Sequence, residues 1–194
     1  TVSDEWIAKV KANQPELRTE KLERYQKEFD LPKYDAEIIT GHKKFADLFE
    51  AATELCGKPK KVSNWIMVET MRLLKENNMD PEDIRFSPVN LAKLIDLADS
   101  GSITNTVAKE VFERIFKDDI DPEKYVEEKG LKTVNDEGAL RETVQKILAE
   151  NPQSVEDYHN GKEKAIGFLV GQTMKAMKGK ANPALVNQIL KELL

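Results

Sequence analysis

Helix-start signals in which a capping side chain directly precedes proline recur along this chain from residue 87 onward. They are Ser87-Pro88, Asp121-Pro122, Asn151-Pro152 and Asn182-Pro183. Serine, aspartate and asparagine accept hydrogen bonds from the free N–H groups of a helix start. Proline fits the first helical turn because it has no N–H to lose there. These pairs therefore predict a succession of short helices.

The first half of the chain also carries apolar residues three or four positions apart, which is the spacing of an amphipathic helix. Ser3 predicts the N-cap of a first short helix, and Gly57 separates a predicted helix at 42–56 from another at roughly 59–77. The apolar residues of 59–77 nearly encircle it, so we expect it at the centre of a bundle. We find no convincing strand pair, and the predicted fold class is all-α.

The polar stretch 77–85 contains proline and lacks helical periodicity. Such a stretch is typical of a boundary between domains. We therefore expect two small helical bundles in tandem, a helical domain at 1–80 and a second domain at 86–194.

Composition restricts the function classes further. A hydrophobic fraction of 40% with 34% charged residues is typical of a soluble, helix-rich protein, and no apolar run is long enough to span a membrane. The single cysteine, Cys56, excludes an internal disulfide framework, so we expect a reducing, cytoplasmic setting. The sequence begins with Thr1 and not with Met, which indicates a piece of a longer protein.

Catalytic motifs are missing from the sequence. The Gly-Lys pairs lack the upstream glycine of a phosphate-binding loop, and no nucleophile elbow or Cys-His pairing is present. His42 and His159 lie in different predicted domains, so a histidine-rich metal site is not expected. We expect no catalytic residue, no metal site and no cofactor in this chain, which makes it a binding or positioning module.

One late helix carries the clearest binding signal, in the sequence GKEKAIGFLVGQTMKAMKGKANP at 161–183. On a helical wheel one side forms a stripe that is expected to face the core. The stripe consists of Ala165, Ile166, Leu169, Val170, Thr173, Met174, Ala176 and Met177. The opposite side carries three lysines around two glycines four residues apart. Its members are Lys164, Gly167, Phe168, Gly171, Lys175 and Lys178.

Two glycines on a solvated helix face require a reason, because each costs about 1 kcal/mol relative to alanine in a helix interior. Glycines at this spacing allow another molecule to approach the backbone. Residues 160–194 hold six lysines against two glutamates, whereas the whole chain has a net charge of −5. A local basic patch is sufficient to bind a polyanion, and Lys180 in the following turn adds to it. Close packing of a neighbouring helix remains the alternative explanation for the glycines.

The residues from Val155 to Leu194 resemble the carboxy-terminal tail of GatB, the B component of the tRNA-dependent amidotransferase. The resemblance continues backwards through SPVNLAKLID, SGSITNTVAKEVFE and VSNWIMVETMRLL, and thus covers nearly the whole chain. The pattern GFLVGQ-MK-KGKANP is its most specific part. The final portion also resembles the stand-alone YqeY proteins, so the second bundle is expected to be YqeY-like.

This resemblance implies a place in translation. In the family, the amidotransferase complex that contains GatB converts glutamyl-tRNA(Gln) or aspartyl-tRNA(Asn) to the cognate aminoacyl-tRNA. It uses ATP, Mg²⁺ and ammonia from a glutaminase component. In that family the active site lies in an N-terminal cradle domain, and no sequence resembling that cradle is present here. The resemblance further implies that this tail contacts the outer corner of tRNA near the D-loop, as it does in the family.

The expected partners are therefore tRNA(Gln) or tRNA(Asn), together with the A and C components of the amidotransferase (GatA and GatC), and neither a membrane nor DNA is expected. The expected RNA contacts are lysines for phosphates, bare glycine backbone for close approach and an exposed aromatic ring for a base. They are Lys164, Gly167, Phe168, Gly171, Lys175, Lys178 and Lys180. The second hypothesis is a YqeY-type interaction module whose glycine-lined groove docks a partner helix.

Overall fold

The computed structural model describes residues 4–12 and 15–194, and the predicted N-cap Ser3 lies outside this range. Within these residues the regular structure is helical. A single isolated parallel bridge, between Val134 and Ala181, is the exception that the described ranges contain. The prediction of an all-α fold is confirmed.

The described residues form two compact units that divide between Ile84 and Arg85. The first contains α1 (Asp4–Ala12), α2 (Arg18–Glu28), α3 (Lys33–Thr40), α4 (Lys43–Cys56), α5 (Pro59–Asn64), a π-helical segment (Trp65–Thr70), α6 (Met71–Glu76) and a 3₁₀ turn (Pro81–Asp83). The second contains α7 (Pro88–Asp99), α8 (Asn105–Asp118), α9 (Pro122–Lys129), α10 (Glu137–Glu150), α11 (Pro152–His159), α12 (Lys164–Ala176) and α13 (Pro183–Leu193).

The polar stretch 77–85, predicted as a domain boundary, is packed into the first unit as far as Ile84. The 3₁₀ turn packs against α4, and the Ile84 side chain after it is only 3% exposed. Residues 81–84 therefore belong to the first unit and are not a linker. The assignment of 1–80 and 86–194 as separate domains stays a prediction.

The capping signals act as the sequence predicts at three of the four proline pairs. The side chains of Ser87, Asp121 and Asn182 accept hydrogen bonds from backbone N–H groups at the starts of α7, α9 and α13. Asn151 is different, because its amide Nδ2 donates to the carbonyl of Ile147 at 2.8 Å and so caps the end of α10 instead.

The long helix predicted at roughly 59–77 is present as a continuous helical run from Pro59 to Glu76, but its middle is not α-helical. Residues Trp65–Thr70 form a π-helical segment, in which each turn takes one extra residue. The extra residue rotates the following side chains relative to a 3.6-residue wheel. Val68, one of the apolar residues predicted to encircle this helix, is 51% exposed.

A separate apolar core lies beneath α10, α12 and α13 in the second unit. It is built from Leu140, Val144, Ile147, Leu169, Ala181, Val186, Ile189 and Leu190, all buried. This core fixes α12 by one side and leaves its other side toward solvent. No helix among the described residues is long and apolar enough to cross a membrane.

In the first unit, Glu16 should contribute to stability in a pH-dependent way. Arg24 donates from Nε and Nη2 to the two carboxylate oxygens of Glu16 at 2.8 and 2.9 Å. These hydrogen bonds hold the pKa of Glu16 below its usual range. A lowered folded-state pKa gives stability that is present above the unfolded-state pKa and is lost as pH falls through the folded-state value. Urea unfolding should therefore show that Glu16→Gln is destabilising at pH 7 and that the loss of stability shrinks as pH falls through the folded-state pKa of Glu16.

The control is the same substitution in an Arg24→Gln background. With its partner gone, Glu16→Gln should have little effect at any of these pH values, since the hydrogen bonds that shift the pKa are absent. A loss of stability that does not change with pH in the parent chain would contradict this account.

Candidate nucleic-acid interface

Helix α12 is held by its apolar side. Leu169 and Thr173 are fully buried, and the Thr173 hydroxyl donates to the carbonyl of Leu169 at 2.9 Å, so its polar group is satisfied inside the core. Most of the predicted stripe is buried or half-buried as expected. The prediction fails at Ala176, which is exposed because it forms the last residue of the helix.

The opposite side of α12 is open. Gly167 and Gly171 are both exposed, and a Cβ added at either position would meet no atom of the described residues within 4 Å. Among the described residues, no neighbouring segment fills the glycine face, so no helix in this part of the chain packs closely against these glycines. Phe168 stands beside them with 48% of its side chain exposed.

Lysines frame this open side. Lys164 and Lys175 are exposed, and within the described ranges neither has a carboxylate at ion-pair distance. Lys164 occupies the first residue of α12, where the helix dipole disfavours a positive charge. A cation at this position works against helix stability, and a bound anion would compensate for it.

Lys178 lies elsewhere than predicted. Because α12 ends at Ala176, Lys178 belongs to the turn that follows, where it has a positive φ of 55°. Its side chain is exposed, so it still extends the basic surface, from the turn and not from the helix. A lysine in the left-handed region is unfavourable relative to glycine.

The turn at 178–180 is anchored on both sides by residues distant in sequence. The Thr104 hydroxyl donates to the carbonyl of Gly179 at 2.6 Å, and the Val134 N–H donates to the carbonyl of Lys180 at 2.7 Å. The Lys180 ammonium itself lies 3.4 Å from the carbonyl oxygen of Gly130. Lys180 is therefore half-buried and tethered, and it is the least available of the predicted cations.

The spacing of the lysines indicates what size of ligand can use them. Lys164 and Lys175 are eleven residues apart on one helix, which is about 16 Å along the axis at 1.5 Å per residue. An extended polyanion can contact both lysines while its backbone passes over the glycines.

Thr104 and Val134 are the residues that sequence reasoning missed at this site. Neither residue belongs to the set predicted to contact RNA, but their hydrogen bonds fix the turn that carries Lys178 and Lys180. Thr104 also caps α8, where its hydroxyl accepts from the Val107 N–H at 3.2 Å. Its second hydrogen bond joins positions 75 residues apart, for which the sequence contains no signal.

The described residues hold no group of three His, Cys, Asp or Glu side chains arranged to bind a metal ion. What the site offers is the ammonium groups of the lysines, the bare backbone at Gly167 and Gly171, and the ring of Phe168. These groups are suited to binding a polyanion with exposed bases.

Comparison with known proteins identifies relatives over the full chain. A family model described as the GatB domain matches residues 47–194. The chain is 71% identical to a protein of Agathobacter rectalis named as the B component of the aspartyl/glutamyl-tRNA(Asn/Gln) amidotransferase, covering all of this chain and 41% of the relative. Proteins of the same name from Lachnoclostridium phytofermentans and a Thermoanaerobacter species are 60% and 52% identical, with 40% and 41% of their lengths covered. The chain thus spans about two fifths of the length of these relatives.

Proposed function

This chain belongs to the GatB domain family, and on that premise we propose that it is the tRNA-recognising part of an amidotransferase GatB protein. In this proposal it holds tRNA(Gln) or tRNA(Asn) bearing the wrong amino acid while the complex amidates that amino acid. The observation that carries the proposal is the open glycine face of α12 between Lys164 and Lys175.

Three properties of that face support RNA over a small ligand. Lys164 and Lys175 lie about 16 Å apart along the helix axis, a separation at which each can contact a different phosphate of one polymer. Gly167 and Gly171 let a ribose-phosphate backbone lie against the helix without a side chain in the way. The half-exposed ring of Phe168 provides a surface on which an unstacked loop base can lie.

The rest of the proposed activity belongs to the whole complex. The relatives are named for an amidotransferase, and ATP and Mg²⁺ would be bound by the part of GatB that this chain does not cover. GatA and GatC would meet the assembled GatB in the cytoplasm. The chain's own contribution is to bind and orient the tRNA.

Docking of a partner helix is the second candidate function. The observation that favours it is the same Phe168, which stands as an apolar knob beside a bare glycine groove. Helices pack closely at such small-residue surfaces. This candidate predicts binding that is nearly insensitive to salt and to the lysines, whereas RNA binding depends on both.

The expected result for the leading proposal is a steep salt dependence. Binding of the chain to tRNA(Gln) and tRNA(Asn) should weaken with rising salt, because each lysine that neutralises a phosphate releases counterions. Lys164→Ala and Lys175→Ala should each lower the affinity several-fold and reduce the slope of log K against log salt by about 1. Fluorescence anisotropy at salt concentrations of roughly 50 to 300 mM KCl provides the test.

Lys117→Ala is the matched control, since Lys117 is an exposed lysine on α8 of the same unit. It should leave both affinity and slope unchanged. A duplex DNA competitor should be much weaker than tRNA. If all three lysine variants behave alike, or if folded chain does not bind tRNA at low salt, the proposal fails.

A further inference from the structure

A groove lies beside the turn that carries Lys178 and Lys180. It has a volume of about 260 Å³ and is bounded by the end of α7, the start of α8, Thr133 and the start of α13. We propose that this groove receives one unstacked nucleotide of the bound tRNA. The inference rests on the tRNA binding proposed for α12, and it extends the RNA surface from the open face of that helix, across the turn, to the groove.

The groove and the turn share a wall. Thr106 lines the groove, and the backbone of Gly179 lies so close to it that an added Cβ would come within 2.9 Å of the Thr106 Cγ2. The Thr104 hydroxyl, also at the groove, donates to the carbonyl of Gly179 at 2.6 Å. A strand of RNA that contacts Lys178 therefore lies next to the groove.

Two short extended segments form another wall. Val134 and Ala181 form a parallel bridge, and both pack against the apolar core of the second unit. Side chains alternate between the two sides of an extended segment, so the neighbours of this pair lie on the side away from the core. Of these neighbours, Thr133 and Asn182 line the groove. The bridge thus fixes the groove to the turn, because Lys180 directly precedes Ala181.

The charges around the groove favour an anionic ligand. None of the residues that line it is acidic. The segments 101–106, 131–135 and 178–183 together contain three lysines and no aspartate or glutamate, although the whole chain has 35 acidic residues against 30 basic ones. Lys132, which directly precedes Thr133, is exposed and has no carboxylate of the described residues at ion-pair distance. It can therefore contact a phosphate of the RNA.

The lining of the groove suits a nucleobase. Ala98, Ile103 and Pro183 supply apolar atoms against which a planar ring can lie. Asn105 and Thr106 are exposed, and neither side chain forms a hydrogen bond with any of the described residues. An asparagine amide carries both donors and an acceptor, and proteins read the edges of unstacked RNA bases with such groups. The volume is below the range of about 300–1,000 Å³ of small-molecule pockets, which favours a single base over a whole cofactor.

Fluorescence anisotropy with a tRNA(Gln) transcript tests the groove. Asn105→Ala should weaken tRNA binding about fivefold without changing the slope of log K against log salt, because the amide is neutral and releases no counterion. Lys132→Ala should weaken binding several-fold and reduce the slope by about 1. Both side chains are exposed, so thermal unfolding should show the stability of the parent chain.

A fully paired RNA duplex is the second ligand, because it offers phosphates without an unstacked base. Asn105→Ala should bind the duplex as tightly as the parent does, whereas Lys132→Ala should bind it more weakly. The matched controls are Asn64→Ala, at an exposed position of α5 in the first unit, and Lys117→Ala on α8. Neither control should alter binding to tRNA or to the duplex.

The outcomes separate this inference from the proposed function. If Asn105→Ala loses the same affinity for tRNA and for the duplex, the groove does not receive an unstacked nucleotide and the inference is overturned. It is also overturned if Asn105→Ala and Lys132→Ala bind tRNA like the parent while Lys164→Ala binds more weakly, and the role of α12 then stands. If the folded parent chain does not bind tRNA at low salt, both proposals fail.

Discussion

The double substitution Gly167→Gln with Gly171→Gln should make the chain more stable and at the same time unable to hold tRNA. Both glycines face open space, so glutamine has room at either position. Replacing glycine by a better helix former in an exposed helix interior should stabilise by about 0.5 kcal/mol for each substitution. The two side chains would then cover the backbone that we propose RNA approaches.

The affinity for tRNA should fall by at least about tenfold, equivalent to ~1.4 kcal/mol. Thermal unfolding and anisotropy on the same protein samples measure both effects. Ala176→Gln is the matched control, because it adds the same side chain to the same helix at an exposed position outside the glycine face. It should leave tRNA binding intact. An affinity within twofold of the parent for the double variant would show that RNA does not use this face.

If the double substitution raises the stability of the chain and lowers its affinity for tRNA, the two glycines are kept for binding and not for folding. A glycine kept for folding becomes costly when replaced, whereas these two are expected to become favourable. Lys164 at the positive end of the α12 dipole and Lys178 at a positive φ follow the same pattern. At several positions on one surface, this chain carries a residue that is worse for local structure than a common alternative. Residues of this kind are expected where binding, and not folding, decides the sequence.

Much of this surface could be predicted from local sequence rules. The wheel separates an open side of α12 from a buried one because the helix is regular from Lys164 to Ala176. The capping side chains Ser87, Asp121 and Asn182 mark helix starts because a cap involves only residues two or three positions apart. Such short-range interactions can be recognised in a single sequence.

The sequence predictions fail where the backbone geometry depends on more than the spacing of neighbouring residues. The π-helical segment at Trp65–Thr70 changes the phase of its helix, and the apolar spacing on either side does not reveal the extra residue. The wheel includes Lys178 because nothing in the spacing marks Ala176 as the last helical residue. At that end the Gly179 N–H donates to the carbonyl of Met174 at 2.8 Å, and Thr104, 75 residues away, donates to the carbonyl of Gly179.

Substitution of Gly179 by alanine should therefore have the opposite effect on stability from the same change at Gly171. Gly179 has φ 73°, and a Cβ there would come within 2.9 Å of the Thr106 Cγ2. The left-handed backbone costs alanine about 1 kcal/mol, and the clash adds about 1–3 kcal/mol. We expect a loss of about 3 kcal/mol in urea unfolding, against a gain of about 1 kcal/mol for Gly171→Ala.

The two contributions at Gly179 can be separated with Thr106→Ser, which removes Cγ2 from an exposed side chain. This substitution should be nearly neutral alone and should recover about half of the loss when combined with Gly179→Ala. Because the turn carries Lys178 and Lys180, the single variant should also bind tRNA more weakly under conditions where it is folded, and the double variant should regain affinity along with stability. If Gly179→Ala loses stability but keeps full affinity, the anchored turn supports the fold alone, and the RNA surface ends with Lys175.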